Sequence, residues 1–427
     1  MNARVTEKIM SYKKFLSVNA FALTLLMSGS ALATTFEEYV QRLGAHPQVM
    51  SILAESDASM AQAQGMRGLP DPVIMIGVDN VPISDPSFDR FLPTSKVIGF
   101  SQDIPNPAVR EAASARLEQI SKKQNLIAAY TKERLRFMLV VKLAKFKSVQ
   151  TQTKLMKRQL GFYQELEETF QGQIESGRSL YQRFSEVDVE RAEAERKLND
   201  LDARLVSIKA GFIRLIDVVP DIDVPDITNT PWDHDSNVLY PVLIAAQDID
   251  IAKKGVGIAD AAFLPNFGIS GVYKQREDGA NGSFEGDDWF SIQAKVTFPL
   301  WASNNQKPKL RAAKDLERSA VFAYEDLRGR WVAQMIGLQS RRDAAAKNVK
   351  VLQDKDYAMK SKIAAAQRNY EAGTEDFDRI LLAKIDRLNI QVKFAKMKAM
   401  YLSMAAEFNS NIVADLQEEA PQEETQE

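Results

Sequence analysis

The clearest pattern in the chain is an alternation of period two. From Phe290 to Phe298, the apolar residues Phe290, Ile292, Ala294, Val296 and Phe298 interleave with Trp289, Ser291, Gln293, Lys295 and Thr297. Such alternation predicts a strand with one apolar and one polar face. This strand is read over about Asp288–Trp301, and shorter apolar runs predict others at about Val73–Val81, Lys96–Ile104 and Phe267–Gln275. Turn-forming residues separate the members of each pair. Pro82, Pro86 and Pro93 fall in one loop, and Gly279, Asn281-Gly282 and Gly286 in the other.

Elsewhere the period changes to that of helices. Long proline-free stretches mix charges with Ala, Leu, Val and Met at about Val109–Ser176, Ser179–Val218, Lys309–Tyr370 and Asp376–Ile412. At ~1.5 Å per residue the third spans on the order of 90 Å. A helix of that length exceeds a compact domain and must lie along other long helices. Gly161, Gly172, Gly329 and Gly337 are candidate breaks within these stretches.

The landmarks repeat. Pro47 and Pro241 open helices at an offset of 194, and Leu69-Pro70 and Leu264-Pro265 close them at 195. Ile104-Pro105 and Phe298-Pro299 end strands 194 residues apart, and Glu175-Ser176-Gly177 matches Glu371-Ala372-Gly373 at 196. Four landmarks in one order imply a tandem duplication. Each half reads helix, β-hairpin, long helix, break, long helix. The first repeat is placed at residues 34–218 and the second at 238–413. A proline-rich linker at 219–237 joins them, and an acidic tail expected to be disordered covers 414–427. The fold class is mainly α with a β portion of four strands. Gly177 and Gly373, between the paired helices, read as hairpin tips, because glycine tolerates the left-handed conformation just past a helix end.

Charge and composition narrow the function. A net charge of -2 with no basic run argues against nucleic acid as a partner. The chain has no cysteine and two histidines, which excludes disulfides, thiolate metal sites and N-terminal lipidation, and leaves little for a histidine-based centre. Lys13 and Lys14, the apolar run Phe15–Met27 and Ala31-Leu32-Ala33 read as a secretory signal cleaved after about Ala33. Past it, no uncharged apolar run approaches the ~18 residues of a membrane helix. A membrane span in this chain therefore requires a closed barrel, in which the apolar face of each strand meets lipid. Trp289 and Trp301, at the ends of the last strand, are placed for the membrane interface.

No nucleophile elbow, P-loop or zinc-protease motif is present. Gly255-Val256-Gly257 lacks the third glycine and the preceding strand of a dinucleotide loop. Met359, Met397, Met400 and Met404 fall at helical spacing and read as packing residues. The chain is therefore expected to be no enzyme and to hold no cofactor or metal.

The duplicated set resembles the TolC-like outer-membrane efflux family over nearly the whole mature chain. It is carried by His46-Pro47 through Leu69-Pro70-Asp71-Pro72, by Tyr240-Pro241 through Leu264-Pro265-Asn266-Phe267, by the strand-to-helix prolines, and by Tyr370-Glu371-Ala372-Gly373-Thr374 with Ile380-Leu381-Leu382-Ala383. Leu69-Pro70-Asp71-Pro72 through Val81-Pro82 and Gly99-Phe100-Ser101-Gln102 are similar to the heavy-metal efflux branch. The resemblance implies a homotrimer with a twelve-stranded barrel in the outer membrane and a helical tunnel in the periplasm. It also implies a periplasmic adaptor and an inner-membrane pump of the RND or a similar type as partners. The chain would then be a passive conduit for small molecules or metal ions.

By the same resemblance, the tips and aperture fall at Gly177, Arg178, Gly373, Glu375, Asp376, Asp378 and Arg379, and the strand–helix junctions at Pro70, Pro105, Pro265 and Pro299. Many family members carry acidic residues about six and nine positions past the tip glycine. Here those positions hold Arg379 and Leu382 after Gly373, and Arg183 and Glu186 after Gly177. Either Arg–carboxylate pairs hold the aperture or the local alignment is shifted. The competing reading is a periplasmic coiled-coil adaptor or spacer. Such a protein usually carries one helical hairpin, where this chain has two alternating with two β-hairpins.

Overall fold

Proline and its N-capping neighbours set where the helices begin. In the computed structural model, which describes residues 35–413, His46 and Asn106 accept a backbone N–H two residues on, and a proline follows each cap directly. Proline at the first helical position forfeits no hydrogen bond, because that N–H has no partner within the helix. The described elements run α1 (Phe36–Leu43), α2 (Pro47–Met66), β1 (Val73–Asp79), β2 (Ser95–Ile104), α3 (Pro107–Glu175) and α4 (Tyr181–Ile216). The second half follows with α5 (Tyr240–Ala261), β3 (Asn266–Gln275), β4 (Trp289–Thr297), α6 (Gln306–Glu371) and α7 (Asp378–Ser410). Two short 3₁₀ turns lie at Ser236–Val238 and Ala280–Gly282. The expected signal segment and acidic tail lie outside the described residues.

The two repeats interlock. Helix α3 packs against α2, α4, α5 and α7, and α6 packs against α5 and α7. At one end the bundle is α2, α3, α5 and α6; at the other it is α4, α3, α7 and α6. The strands form one antiparallel sheet in the order β1-β2-β3-β4, so the halves meet at β2–β3.

Several expectations need correction. Helices α3 and α6, of 69 and 66 residues, run unbroken through Gly161, Gly172, Gly329 and Gly337. One glycine costs a helix only ~1 kcal/mol, which the packing of so long a helix absorbs. Strand β4 ends at Thr297 and not at Trp301, because Pro299 lacks the N–H that would extend the ladder. β1 ends at Asp79, before Val81. Helix α1 went unread, since its eight residues are too few for a clear period.

Among the described residues, three clusters make the core. One gathers Leu139, Leu143, Phe146, Phe212 and Ile216 with Tyr39 and Leu43 of α1. A second runs toward the hairpin tips through Tyr163, Leu166, Phe170, Val187 and Leu381. The third holds Trp232, Leu239, Val242, Met335, Leu338 and Phe408. Phe212 is fully buried and meets the Phe146 ring edge-on, with centroids 5.7 Å apart. Phe212→Ala is expected to cost ~3–5 kcal/mol, the usual range for emptying a buried aromatic site. A denaturation midpoint measured beside the parent chain checks this.

Candidate functional site

The sheet has two unlike faces. On one, the register aligns Ile76, Ile98, Tyr273 and Phe290 in a row across all four strands, and Ile74, Phe100, Gly271 and Ile292 in the next. Ile104, Phe267 and Val296 continue the same face. These apolar side chains are exposed: Ile76 at 80%, Phe290 and Ile292 at 68%. A water-facing sheet would not hold a contiguous apolar patch of this kind. The opposite face carries Ser101, Asp103, Ser270, Lys274, Ser291, Gln293 and Lys295 among Val73, Met75, Val97 and Val272.

The rows from Val296 to Phe290 span ~20 Å at ~3.4 Å per residue. That is close to the ~25 Å apolar band of a membrane barrel. Within the described residues β1 and β4 each have one unpaired edge. Among the described residues no helix is long and apolar enough to cross a membrane.

Trp289 projects to the polar face, as its place in the alternation requires, and there the Arg276 guanidinium lies 3.8 Å from its ring. Arg276 is 8% exposed and also donates to the carbonyls of Asp287 and Leu92 at 2.6 and 3.3 Å. It thereby fastens the β1–β2 and β3–β4 loops to each other. Trp301, beyond the other end of β4, is 74% exposed.

All four junction prolines, Pro70, Pro105, Pro265 and Pro299, lie in the irregular segments between strand and helix. The residue that joins two of these junctions escaped the sequence reading. Asn106, 3% exposed, caps α3 through Oδ1, donates its N–H to Asn266 Oδ1 at 2.9 Å, and donates Nδ2–H to the Ala261 carbonyl at 3.2 Å. It ties the start of α3 to the α5–β3 junction 160 residues away. Its capping position was legible; its remote partners were not.

At the opposite end the two tips close in the same way. Gly177 has φ +93° and Gly373 φ +69°. Gly177 N–H bonds to Ile174 O and Arg178 N–H to Gln173 O, at 2.9 and 3.0 Å. Gly373 N–H to Tyr370 O and Thr374 N–H to Asn369 O repeat the pair, both at 2.9 Å. This paired closure demands a left-handed residue, which explains both glycines.

Charged pairs then lock one tip to the other. Arg178 Nη1 reaches Asp376 Oδ1 at 3.1 Å, and Arg183 makes a short ion pair with Asp378. Asp378 is 1% exposed, and its Oδ1 has no hydrogen-bond partner. Arg183 also lies over the Phe170 ring at 5.0 Å. Of the expected tip residues, the structure thus brings together Arg178 with Asp376, and Asp378 with Arg183. Glu375 and Arg379 stay exposed at the surface.

Further up the coil, Arg387 on α7 holds Asp356 on α6 at 2.9 and 3.1 Å, and Gln391 donates to the same carboxylate at 3.0 Å. The Arg387 hydrogen bond, ahead of lesser contributions from Gln391 and nearby charge, holds Asp356 below its ordinary carboxyl value despite burial. The folded state thus binds the Asp356 proton more weakly than the unfolded state. Its stabilisation is full above the ordinary value near ~4 and is lost as pH falls through the lowered one. Acid is expected to loosen the α6–α7 contact in the parent more than in Asp356→Asn, as amide exchange at α6 would report.

The sequence from 242 to 406 matches the family described as outer membrane efflux protein. The fold agrees with solved structures of outer membrane proteins over most of the chain. VceC of Vibrio cholerae superposes with a TM-score of 0.69 at 16% identity, over 88% of this chain and 95% of that one. The open-state MtrE outer membrane channel of Neisseria gonorrhoeae gives 0.71 at 14% identity, over 92% and 95%. The CmeC outer membrane channel of Campylobacter jejuni gives 0.67 at 12%, over 93% and 97%. The chain shares their fold, and its segment 242–406 matches the outer membrane efflux protein family. No curated protein matches the sequence. Like these structures, the chain pairs a four-stranded antiparallel sheet with long helices.

Proposed function

We propose that this chain is an outer membrane efflux protein and the exit duct of a tripartite pump. Three copies close their open β1 and β4 edges into one barrel through the outer membrane, and their helices continue it as a periplasmic tunnel. The observation that carries this reading is the exposed apolar face of a sheet with two unpaired edges. Closure satisfies those edges, and lipid covers that face.

The tips, with Gly177, Arg178, Gly373, Glu375, Asp376, Asp378 and Arg379, form the periplasmic aperture and meet an adaptor protein, which couples the duct to an inner-membrane pump. The cargo, small molecules or metal ions, passes through without chemistry. An export signal is cleaved near Ala33. Deleting the tip from Gly373 to Asp378 is expected to abolish export while trimers still assemble. Export at the parent rate by that variant would remove the tips from the mechanism. A coiled-coil adaptor is disfavoured, because such a protein has no use for the exposed apolar rows of the sheet.

A further inference from the structure

The two longest helices are counterparts in the duplication, but they are covered unequally. Helix α3 packs against α2 and α4 of its own repeat and against α5 and α7 of the other. Helix α6 has α5 and α7 of its own repeat as its partners. Two contacts set how α7 lies on α3. Lys384 Nζ stands 5.2 Å from the Phe162 ring, and Ser148 Oγ donates to the Ala395 carbonyl at 3.0 Å. Ser148, Gln152, Leu155, Gln159, Phe162 and Leu166 recur at the spacing of one helix face, and all six are buried or half-buried. At the tip offset of 196 their counterparts on α6 are Ala344, Asn348, Val351, Lys355, Ala358 and Lys362, and all six are exposed. Leu155 is 7% exposed, and Val351 is 60% exposed.

The other half of the joint shows the same contrast. Leu381, Ile385 and Leu388 of α7 are buried, while their counterparts on α4, Ser185, Val189 and Ala192, are exposed. The α3–α7 joint thus has an uncovered twin for each of its halves, one on α6 and one on α4. In a single chain α3 and α7 stand between those twins, so only a second copy can bring them together. Their charges agree. Residues 182–202 of α4 hold seven acidic and four basic side chains. Residues 344–364 of α6, which the α3–α7 register sets against them, hold five basic and two acidic. Opposite fields of this kind steer and register two surfaces.

We propose that the open flank of α6 receives α4 of a second copy, in the register that α7 takes on α3. The contact of Lys384 with Phe162 then becomes one of Asp188 of the partner subunit with Ala358. Lys355 and Lys362 lie one turn to either side of Ala358, so the carboxylate sits between two ammonium groups. Contacts between two unlike surfaces close into a ring when the rotation permits. This inference rests on the reading of the chain as one of several copies around a duct, and adds the surface and its register.

The test uses the full chain in detergent. The parent has no cysteine, so Asp188→Cys with Ala358→Cys supplies two thiols and no others. Oxidation is expected to link copies into dimers and trimers on a boiled denaturing gel. The yield is expected to be at least tenfold that of Glu195→Cys with Ala358→Cys, which is two turns out of register. In a second arm, Asp188→Lys is expected to lower the temperature at which the trimer dissociates, and Lys355→Glu in the same chain to recover it. Asp188 and Lys355 are both exposed, so neither change threatens the fold of one copy. Equal linking by the two cysteine pairs, or none by either in a chain whose native mass is still that of a trimer, would overturn the register and leave the ring standing. A further loss on adding Lys355→Glu would overturn the charge match. A native mass of one copy in the parent would overturn the ring and this joint together.

Discussion

A lysine at Ile292 or at Val296 is expected to cost ~2–4 kcal/mol of barrel stability, the range for a basic residue on the lipid face near mid-membrane. Ile292 sits in the row Ile74–Phe100–Gly271–Ile292, between Phe290 and Ala294 on its own strand. A charge there has no polar neighbour across the strands to share it. The control lies one residue away. Ser291 and Gln293 point to the opposite face with Ser270, Val272 and Lys295, so lysine at either is expected to assemble at the parent level. Heat-modifiable gel mobility of outer-membrane extracts separates the two sets. Equal assembly of all four variants would place the sheet outside lipid, and loss confined to Ser291→Lys and Gln293→Lys would reverse its faces.

The second large effect is at the tips. Arg183→Ala is expected to destabilise their closed contact by ~1–3 kcal/mol. Removing one partner of a buried pair usually costs ~3–5 kcal/mol; the lower figure allows for the 36% exposure of Arg183. The loss falls on Asp378, which is 1% exposed and has no second partner to turn to. Arg178→Ala is the comparison. Its pair with Asp376 is more than half exposed on both sides and is worth under ~1 kcal/mol. In planar bilayers, Arg183→Ala channels are expected to show several-fold higher conductance than the parent, with Arg178→Ala close to the parent. Asp378→Asn in the Arg183→Ala background should recover part of the closure, since it removes the buried charge. Unchanged conductance in Arg183→Ala would mean that this pair does not hold the aperture.

What was legible in the sequence follows from the range of each interaction. The period-two run at Phe290–Phe298, the capping prolines and the tip glycines act within a few residues, and the duplication makes each visible twice. Gly177 and Gly373 both take positive φ, because left-handed closure just past a helix is a local demand that glycine meets. The tip pairs were legible only as chemistry. Arginines and carboxylates stood near the tips, but Arg183 and Asp378 are 195 residues apart, and no local pattern names such a partner. Asn106 and Arg276 were missed for the same reason. Each looks like an ordinary loop residue until the sheet brings Asn266, Leu92 and Trp289 beside it. The four inner glycines were candidate breaks that the helices run through, since long-range packing decides whether a helix continues.

The central claim is that the open-edged sheet becomes a closed barrel only by joining copies of itself in the outer membrane. Native mass of the detergent-extracted protein, after separation of inner and outer membranes, tests it most directly. The account predicts an outer-membrane species with three times the mass of the processed chain. A soluble periplasmic monomer or dimer would contradict it.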